Sequence, residues 1–298
     1  MQSTRARSEV VRVRPDMELR VLRWAGRTPG FVLVHGLASN AQLWRGVSEK
    51  LSDGGDGYAV TAIDLRGHGE SDVPESGYDT TTAAADVAAV IRTLSLDGAV
   101  VAGQSWGGNV VVELAASHPD LVAAIALVDG GWIQLGETFS SWESALRVLT
   151  PPDLTSRSWS EIAGMIRAAH PDWADWAIEA TMANLREEPA GGVRARLARD
   201  HHLSILRSMW DYPITERFPE VLVPALLVPA GSREADLKRS AVDAAAAALV
   251  QSEIRWYDGA DHDVHAQHPH AVAADLLALA HRAELSAIET PELGPRTS

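Results

Sequence analysis

The chain has 298 residues, 46% of them hydrophobic, and a formal net charge of −14 with 24 arginines and only 2 lysines. This content suffices for a large buried core, and the lack of any basic run interleaved with aromatic residues argues against binding to nucleic acid or to an anionic membrane. The absence of cysteine excludes disulfides and a thiolate nucleophile, and the absence of a signal-like or membrane-length apolar stretch predicts a cytoplasmic protein.

The first part of the chain alternates strand-like and helix-like segments. Residues 10–15 and 17–24 alternate polar with apolar side chains and predict an antiparallel hairpin at a sheet edge. Four short apolar runs predict strands that are buried on both faces, and they read GFVLVHG, YAVTAID, AVVAGQ and VAAIALVDG. Apolar residues recur at helical spacing from Thr80 to Leu94. This alternation predicts crossover connections and a mainly parallel sheet.

The alternation stops between residues 131 and 218. No strand-like run occurs there, and helical segments are separated by prolines and glycines. Strands resume with VPALLVPAG and SEIRWYDG, which flank a further predicted helix. We therefore predict a core formed by residues 1–131 and 217–298, a helical insertion over residues 132–216, and a flexible tail over residues 285–298.

A serine lies where one predicted strand meets a predicted helix. The segment Gly103 to Gly107, with Ser105 at its centre, matches the pattern G-x-S-x-G in the strand-turn-helix context that this motif requires. Such a turn holds the hydroxyl clear of the sheet, and the helix N-terminus behind it favours developing negative charge. The alternative is an ordinary Gly-Ser turn, but the strand, the helix and both glycines together favour a nucleophile.

Three further segments, together with this turn, resemble the α/β-hydrolase fold superfamily in its capped form. FVLVHGLASNAQLW resembles the family's strand ending in His-Gly, AIDLRGHGESD its Asp-x-Arg-Gly-His-Gly-x-Ser-Asp loop, and GADHDVHAQHP its C-terminal Gly-x-x-His segment. The resemblance covers nearly all of the chain from Val10 to Arg282. It implies an α/β fold with a mainly parallel eight-stranded sheet flanked by helices, an inserted helical cap, and hydrolase chemistry.

The resemblance also suggests the partners that a serine nucleophile needs. His262 matches the family's histidine and is the expected general base. Two carboxylates are candidates for the acid. Glu234 stands three residues after a glycine, where the family's acid usually lies, and Asp129 ends the strand that follows the helix after Ser105. Glu234 could instead complement a helix dipole and Asp129 could cap a turn; of the two, we favour Asp129.

Backbone groups and tryptophans complete the predicted site. The N–H groups of Leu37 and Trp106 are the expected oxyanion hole, and His35 is expected to hold the loop before Leu37. The Trp106 side chain is predicted to line the acyl pocket, with core filling as the alternative. Six of the ten tryptophans fall in or beside the predicted cap. Three of them are the candidate walls of an apolar substrate pocket: Trp132, Trp142 and Trp210.

Four histidines near the C-terminus raise the alternative of a metal site. His262, His265, His268 and His270 do not have the spacing of a zinc motif, and the last three are interpreted as a solvated helix start. We therefore predict no metal and no organic cofactor.

The sequence predicts a serine hydrolase that cleaves carboxylic esters or lactones of hydrophobic or aromatic small molecules through an acyl-enzyme. A serine at position 105 disfavours dehalogenation and epoxide opening, which need a carboxylate nucleophile. Amide and C–C bond hydrolysis by the same triad remain open. A non-catalytic small-molecule receptor is the alternative outside enzymes, and an intact Ser, His and acid set argues against it. The sequence does not determine the oligomeric state.

Overall fold

The computed structural model describes residues 6–53, 57–189 and 191–289. The strands in chain order are β1 (Arg7–Arg14), β2 (Met17–Trp24), β3 (Arg27–Val34), β4 (Tyr58–Ile63), β5 (Ala99–Gln104), β6 (Val122–Val128), β7 (Leu185–Glu187), β8 (Val193–Ala195), β9 (Ala225–Val228), β10 (Ala230–Gly231), β11 (Ser252–Ile254) and β12 (Tyr257–Asp258). The helices are α1 (Arg45–Leu51), α2 (Thr80–Thr93), α3 (Trp106–Ser117), α4 (Leu135–Thr138), α5 (Trp142–Leu149), α6 (Trp159–Ala169), α7 (Asp175–Met182), α8 (Arg199–Asp211), α9 (Asp236–Ala248), α10 (Val264–Gln267) and α11 (Pro269–Glu289).

Eight of these strands form one sheet in the order β1-β2-β4-β3-β5-β6-β9-β11. The pairs β1–β2 and β2–β4 are antiparallel and the other five are parallel. The predicted eight-stranded, mainly parallel sheet is confirmed, and the predicted hairpin forms its edge. Every residue of β4 and β5 is buried, as expected of strands covered on both faces.

Two apolar layers cover the two faces of the sheet. Val32 and Val34 of β3 pack into the layer that contains α2 and α3, whereas Phe31 and Leu33 pack into the layer that contains α1 and α11. This division follows from the strand geometry, because successive side chains point to opposite faces. Ligand sites in open α/β sheets form at the carboxyl ends of the strands, where β5 ends before Ser105 and β6 ends before Asp129.

The segment between β6 and β9, for which a helical insertion is predicted, contains α4 to α8. It also contains the antiparallel hairpin β7–β8, so the expectation that no strand occurs there was wrong. Three-residue strands are too short to give a periodic signal. Their turn uses Gly191 and Gly192 at positive φ, and the Glu188 N–H donates to the Gly192 carbonyl at 3.1 Å.

Two further predictions need adjustment. VPALLVPAG is divided into β9 and β10 around Pro229, which has no N–H to donate, and SEIRWYDG is divided into β11 and β12. The short strands β10 and β12 pair in a sheet of their own. The predicted tail over 285–298 begins within α11, and residues 290–298 lie outside the described residues. Within the described part of the chain, no helix is both long and apolar enough to span a bilayer.

Candidate active site

Ser105 occupies a sharp turn between β5 and α3. Its backbone has φ 54° and ψ −125°, a left-handed conformation that is strained for any residue with a side chain. The flanking glycines are required by close backbone approach. A Cβ at Gly103 would lie 2.2 Å from the Gly107 carbonyl oxygen, and a Cβ at Gly107 would lie 2.4 Å from that of His35. The turn therefore projects the serine side chain from the end of the strand.

The structure places Asp129 against His262. Asp129 directly follows β6, and its Oδ2 lies 2.6 Å from Nδ1 of His262. The carboxylate is buried, while the imidazole is about half exposed. Glu234 is exposed, and its backbone N–H donates to the Ser232 hydroxyl at 3.2 Å. Asp129 is therefore the candidate acid that contacts the imidazole.

The charges of this pair reinforce each other. Burial disfavours the charged carboxylate of Asp129, but the hydrogen bond and charge of His262, followed by those of Lys238, outweigh it and lower its pKa. Desolvation lowers the pKa of His262, but the hydrogen bond to Asp129 and the charge of Asp263 raise it by more, so that its pKa lies above the ordinary value. A proton on Nδ1, held by Asp129, leaves Nε2 as the free acceptor.

Ser105 and His262 belong to adjoining segments at the same sheet edge. The Ser105 N–H donates to the Val128 carbonyl at 3.0 Å, next to Asp129, and the side chain of Gln104 donates to the His262 carbonyl at 3.3 Å. Among the described residues, no hydrogen bond joins the Ser105 hydroxyl to the His262 ring. Such bonds are often long in unliganded enzymes and tighten when substrate binds.

Two neutral imidazoles hold the loop that follows β3. His35 donates from Nδ1 to the Gly36 carbonyl at 2.7 Å and accepts the Leu65 N–H at 3.0 Å, while His68 accepts the Ala38 N–H at 3.2 Å. Burial lowers the pKa of His35 to about 4 and that of His68 to about 3. Both rings are therefore uncharged near neutral pH and can accept these N–H bonds.

The predicted oxyanion donors lie on the two segments beside Ser105. A Cβ at Gly36 would lie 2.9 Å from the Cβ of Ser105, so the loop that carries Leu37 reaches the serine. The N–H of Trp106 begins α3 directly after it. Within the described part of the chain, neither the Leu37 N–H nor the Trp106 N–H has a protein acceptor. Both donors are thus available to a ligand.

The tryptophan side chains divide into core and partly exposed groups. Trp106 is fully buried, and its Nε1 donates to the Thr80 hydroxyl at 3.1 Å, so its side chain fills the core instead of lining an acyl pocket. Trp132 is buried in the same apolar layer. Trp142 and Trp210 are partly exposed and meet edge to face with ring centroids 5.7 Å apart. Their role as pocket walls stays a prediction.

His265 does not belong to a solvated helix start. Its ring is fully buried and lies on Trp44 with centroids 4.3 Å apart, and burial lowers its pKa to about 3. The expectation was wrong because α10 packs against α1 and the short helix before it. His268 and His270 are exposed. No group of three or more metal-ligating side chains occurs among the described residues.

Sequence reasoning missed Lys238. Its Nζ lies 2.8 Å from Oδ1 and 2.9 Å from Oδ2 of Asp129, so the carboxylate is shared between an imidazole and an ammonium group. No motif marks this residue. Two features of the sequence could have drawn attention to it. Lys238 is one of only two lysines, and it lies in α9, the helix that follows β9 and β10.

Comparison with known proteins assigns the family. The family described as alpha/beta hydrolase fold matches residues 29–213, which is more than half of the chain. The chain belongs to the α/β-hydrolase family. This agrees with the observed sheet and with the turn at Ser105.

Two relatives and one solved structure illustrate the range of the family. The chain is 38% identical over 108 residues to 2-(acetamidomethylene)succinate hydrolase of Mesorhizobium japonicum, covering 36% of this chain and 38% of that protein. It is 38% identical over 122 residues to an esterase of Mycobacterium tuberculosis, covering 41% and 39%. The chain therefore spans about two fifths of the length of these relatives. The crystal structure of E-2-(acetamidomethylene)succinate hydrolase has a TM-score of 0.76, 24% identity, and coverage of 93% and 99%, which shows a shared fold.

Proposed function

We propose that the protein is a serine hydrolase that cleaves carboxylic esters or lactones of hydrophobic or aromatic small molecules. The observation that carries the proposal is the 2.6 Å contact between buried Asp129 and His262, at the sheet edge where Ser105 occupies its strained turn. An acid that orients an imidazole beside a serine is the arrangement that activates a hydroxyl for acyl transfer. The esterase among the relatives supports the same chemistry.

The proposed reaction proceeds in two halves. Ser105 attacks the substrate carbonyl while Nε2 of His262 accepts its proton, and Asp129 stabilises the resulting imidazolium. The N–H groups of Leu37 and Trp106 bind the oxyanion, a contact that exists only once charge develops. The imidazolium then protonates the leaving alcohol. A water, deprotonated by His262, releases the acyl group and restores the serine.

The apolar part of the substrate is proposed to contact Trp142 and Trp210. The two rings meet edge to face and are partly exposed, and a partly exposed aromatic pair provides contact area for an apolar group. Esters with longer chains or rings should therefore be hydrolysed faster than short polar esters. A panel graded by chain length, in which short polar esters were hydrolysed fastest, would contradict this part of the proposal.

Amide hydrolysis of an acetamido-substituted acid is the second candidate. A relative whose name contains such a substrate is 38% identical to this chain over 108 residues. The same triad can attack an amide carbonyl, because the imidazolium can protonate a leaving nitrogen as well as an oxygen. The substrate panel should therefore contain N-acetyl amides and acetamido diacids beside esters and lactones.

A fluorophosphonate probe tests the nucleophile independently of substrate choice. We expect a covalent adduct on Ser105 with loss of fluoride, and no adduct in Ser105→Ala. Ser48, which is buried and donates to the Trp44 carbonyl at 2.9 Å, provides the matched control Ser48→Ala. That variant should be labelled like the parent protein. Absence of an adduct on Ser105 in the folded protein would overturn the proposal, and tight ligand binding without an adduct would favour a receptor.

A further inference from the structure

Lys238 makes three hydrogen bonds behind the proposed acid. Its Nζ lies 2.8 and 2.9 Å from the two carboxylate oxygens of Asp129 and 2.8 Å from the carbonyl oxygen of Ala230. An ammonium group has three protons, so these acceptors use its full donor capacity. The Lys238 side chain is 35% exposed, whereas the carboxylate is buried. The lysine thus covers Asp129 on its solvent side.

Asp129 is held from three directions. The Ala230 N–H donates to Oδ1 at 2.9 Å, Lys238 bonds both oxygens, and His262 approaches Oδ2. With these contacts the carboxylate plane is fixed, and rotation that would move Oδ2 away from the imidazole breaks the bonds to Lys238. The lysine therefore acts on the position of the acid as well as on its charge.

The charge of Lys238 opposes protonation of His262. Asp129 attracts a proton to the imidazole, and an ammonium group on the same carboxylate offsets part of that attraction. Other titratable groups lie near this pair. The charge of Asp263 acts on His262, and the charge of His262 acts on His265 of α10. Asp261 and His170, the residue after α6, bond to each other and act on Asp263. Among the described residues, Lys238 is the one lysine or arginine that bonds to Asp129.

From this geometry we infer that Lys238 is a positioning residue of the active site. It fixes the Asp129 carboxylate and offsets part of its charge, so that His262 is free to accept the Ser105 proton at lower pH than a simple Asp-His pair would allow. This inference rests on the proposed function, since it concerns the same general base.

The test compares pH profiles of kcat/KM for the parent protein and Lys238→Met on an ester that the parent hydrolyses. Methionine keeps much of the side-chain length but removes the charge and the donors. In the parent, kcat/KM should rise with pH as His262 loses its proton, and this rise is the acid limb of the profile. In Lys238→Met the acid limb should lie about 0.5 to 1 pH unit higher, because the loss of the ammonium charge favours the protonated imidazole. Below the limb the variant should lose about three- to tenfold in kcat/KM.

Two matched variants separate the charge effect from a structural one. Lys238→Arg keeps a positive charge beside Asp129 and should restore the acid limb to near the parent position. Lys50→Met removes the other lysine of the chain, which lies 3.9 Å from Asp53 on the surface, and should leave the limb unchanged. The pH dependence of fluorophosphonate labelling should show the same displacement, because labelling needs the same unprotonated imidazole.

The outcomes are distinguishable from failure of the proposed function. If the parent protein neither hydrolyses esters nor forms the Ser105 adduct, the proposed function fails. If the parent is active and Lys238→Met lowers activity equally at all pH values with no displacement of the limb, the role assigned to Lys238 is wrong. The role assigned to Lys238 is also wrong if the acid limb of Lys238→Met moves to lower pH, or if Lys50→Met shows the same displacement.

Discussion

Replacing Asp129 by asparagine tests the assignment of the acid most directly. Oδ1 of Asp129 accepts from the Ala230 N–H and from Lys238, and Oδ2 accepts from Lys238 and His262. An asparagine can keep its side-chain oxygen at the position of Oδ1, where it accepts from the Ala230 N–H and from Lys238. Its NH2 group then faces the ammonium of Lys238 and Nδ1 of His262, both of which are donors.

The conflict is relieved if the imidazole changes tautomer. Nδ1 of His262 then accepts from the amide, the proton moves to Nε2, and this nitrogen can no longer accept the proton of Ser105. In addition, the imidazolium formed during the reaction would face Lys238 with no carboxylate between them. We expect Asp129→Asn to lower kcat by about ten-thousandfold, as loss of this orientation does in serine proteases. This corresponds to about 5 kcal/mol of transition-state stabilisation.

The assay measures kcat and KM on the best ester of the panel, with circular dichroism to confirm folding. Glu234→Gln is the matched control, because Glu234 is exposed and its carboxylate makes no hydrogen bond among the described residues. It should retain activity within about twofold, as surface substitutions away from a site usually do. A loss below tenfold in Asp129→Asn, or a crippled Glu234→Gln, would refute the assignment.

Two stability predictions concern buried ionisable side chains. Arg66→Met removes a guanidinium that lies 2.6 Å from Asp86 with both side chains buried, and should lower the free energy of unfolding by about 3 to 5 kcal/mol in urea titrations. Arg92→Met, at an exposed ion pair, should change it by less than about 1 kcal/mol; equal losses would contradict the burial argument. His265→Leu should leave stability near neutral pH unchanged or raised, because the buried ring has no hydrogen-bond partner among the described residues. Burial lowers the pKa of His265 to about 3, so the unfolded chain binds this proton at higher pH than the folded one. The parent therefore loses up to about 1.4 kcal/mol of stability per pH unit from this group as the pH falls from 6.5 to about 3. In His265→Leu the free energy of unfolding should fall less steeply with decreasing pH than in the parent, whereas His270→Leu, at an exposed position, should behave like the parent. The same pH dependence in the parent and in His265→Leu would contradict this.

Local patterns made the sheet and the serine turn predictable. Continuous apolar runs of four to seven residues bounded by glycine or aspartate identify strands buried on both faces, and β3, β4, β5 and β6 occur where such runs occur. The turn at Ser105 is equally local, because its strain and its glycines lie within five consecutive residues. The hairpin β7–β8 was missed because each of its strands has three residues, which is too short to show a periodic pattern.

Contacts between distant segments were not predictable in the same way. Lys238 lies 109 residues from Asp129 and meets it only because α9 follows the strand beside β6. Its helix shows the ordinary pattern of a surface helix, and nothing in that pattern distinguishes a lysine that faces solvent from one that returns to the sheet edge. Asp129 was favoured over Glu234 because it ends an apolar strand, although Glu234 has the position that is usual in the family. The structure shows that Asp129 is buried and Glu234 exposed.

The histidines show why residue type alone could not assign chemistry in this chain. His262 is half exposed and bonded to buried Asp129, whose hydrogen bond and charge favour the protonated ring and help to raise its pKa. His35 and His68 are buried, and their lowered pKa values keep them neutral, so they serve as fixed acceptors. His68 accepts the Ala38 N–H of the loop beside Ser105, and His35 accepts the Leu65 N–H after β4. His265 is buried as deeply but has no such partner. A general base needs both a partner that stabilises its charged form and a path to solvent or substrate, and of these four only His262 has both.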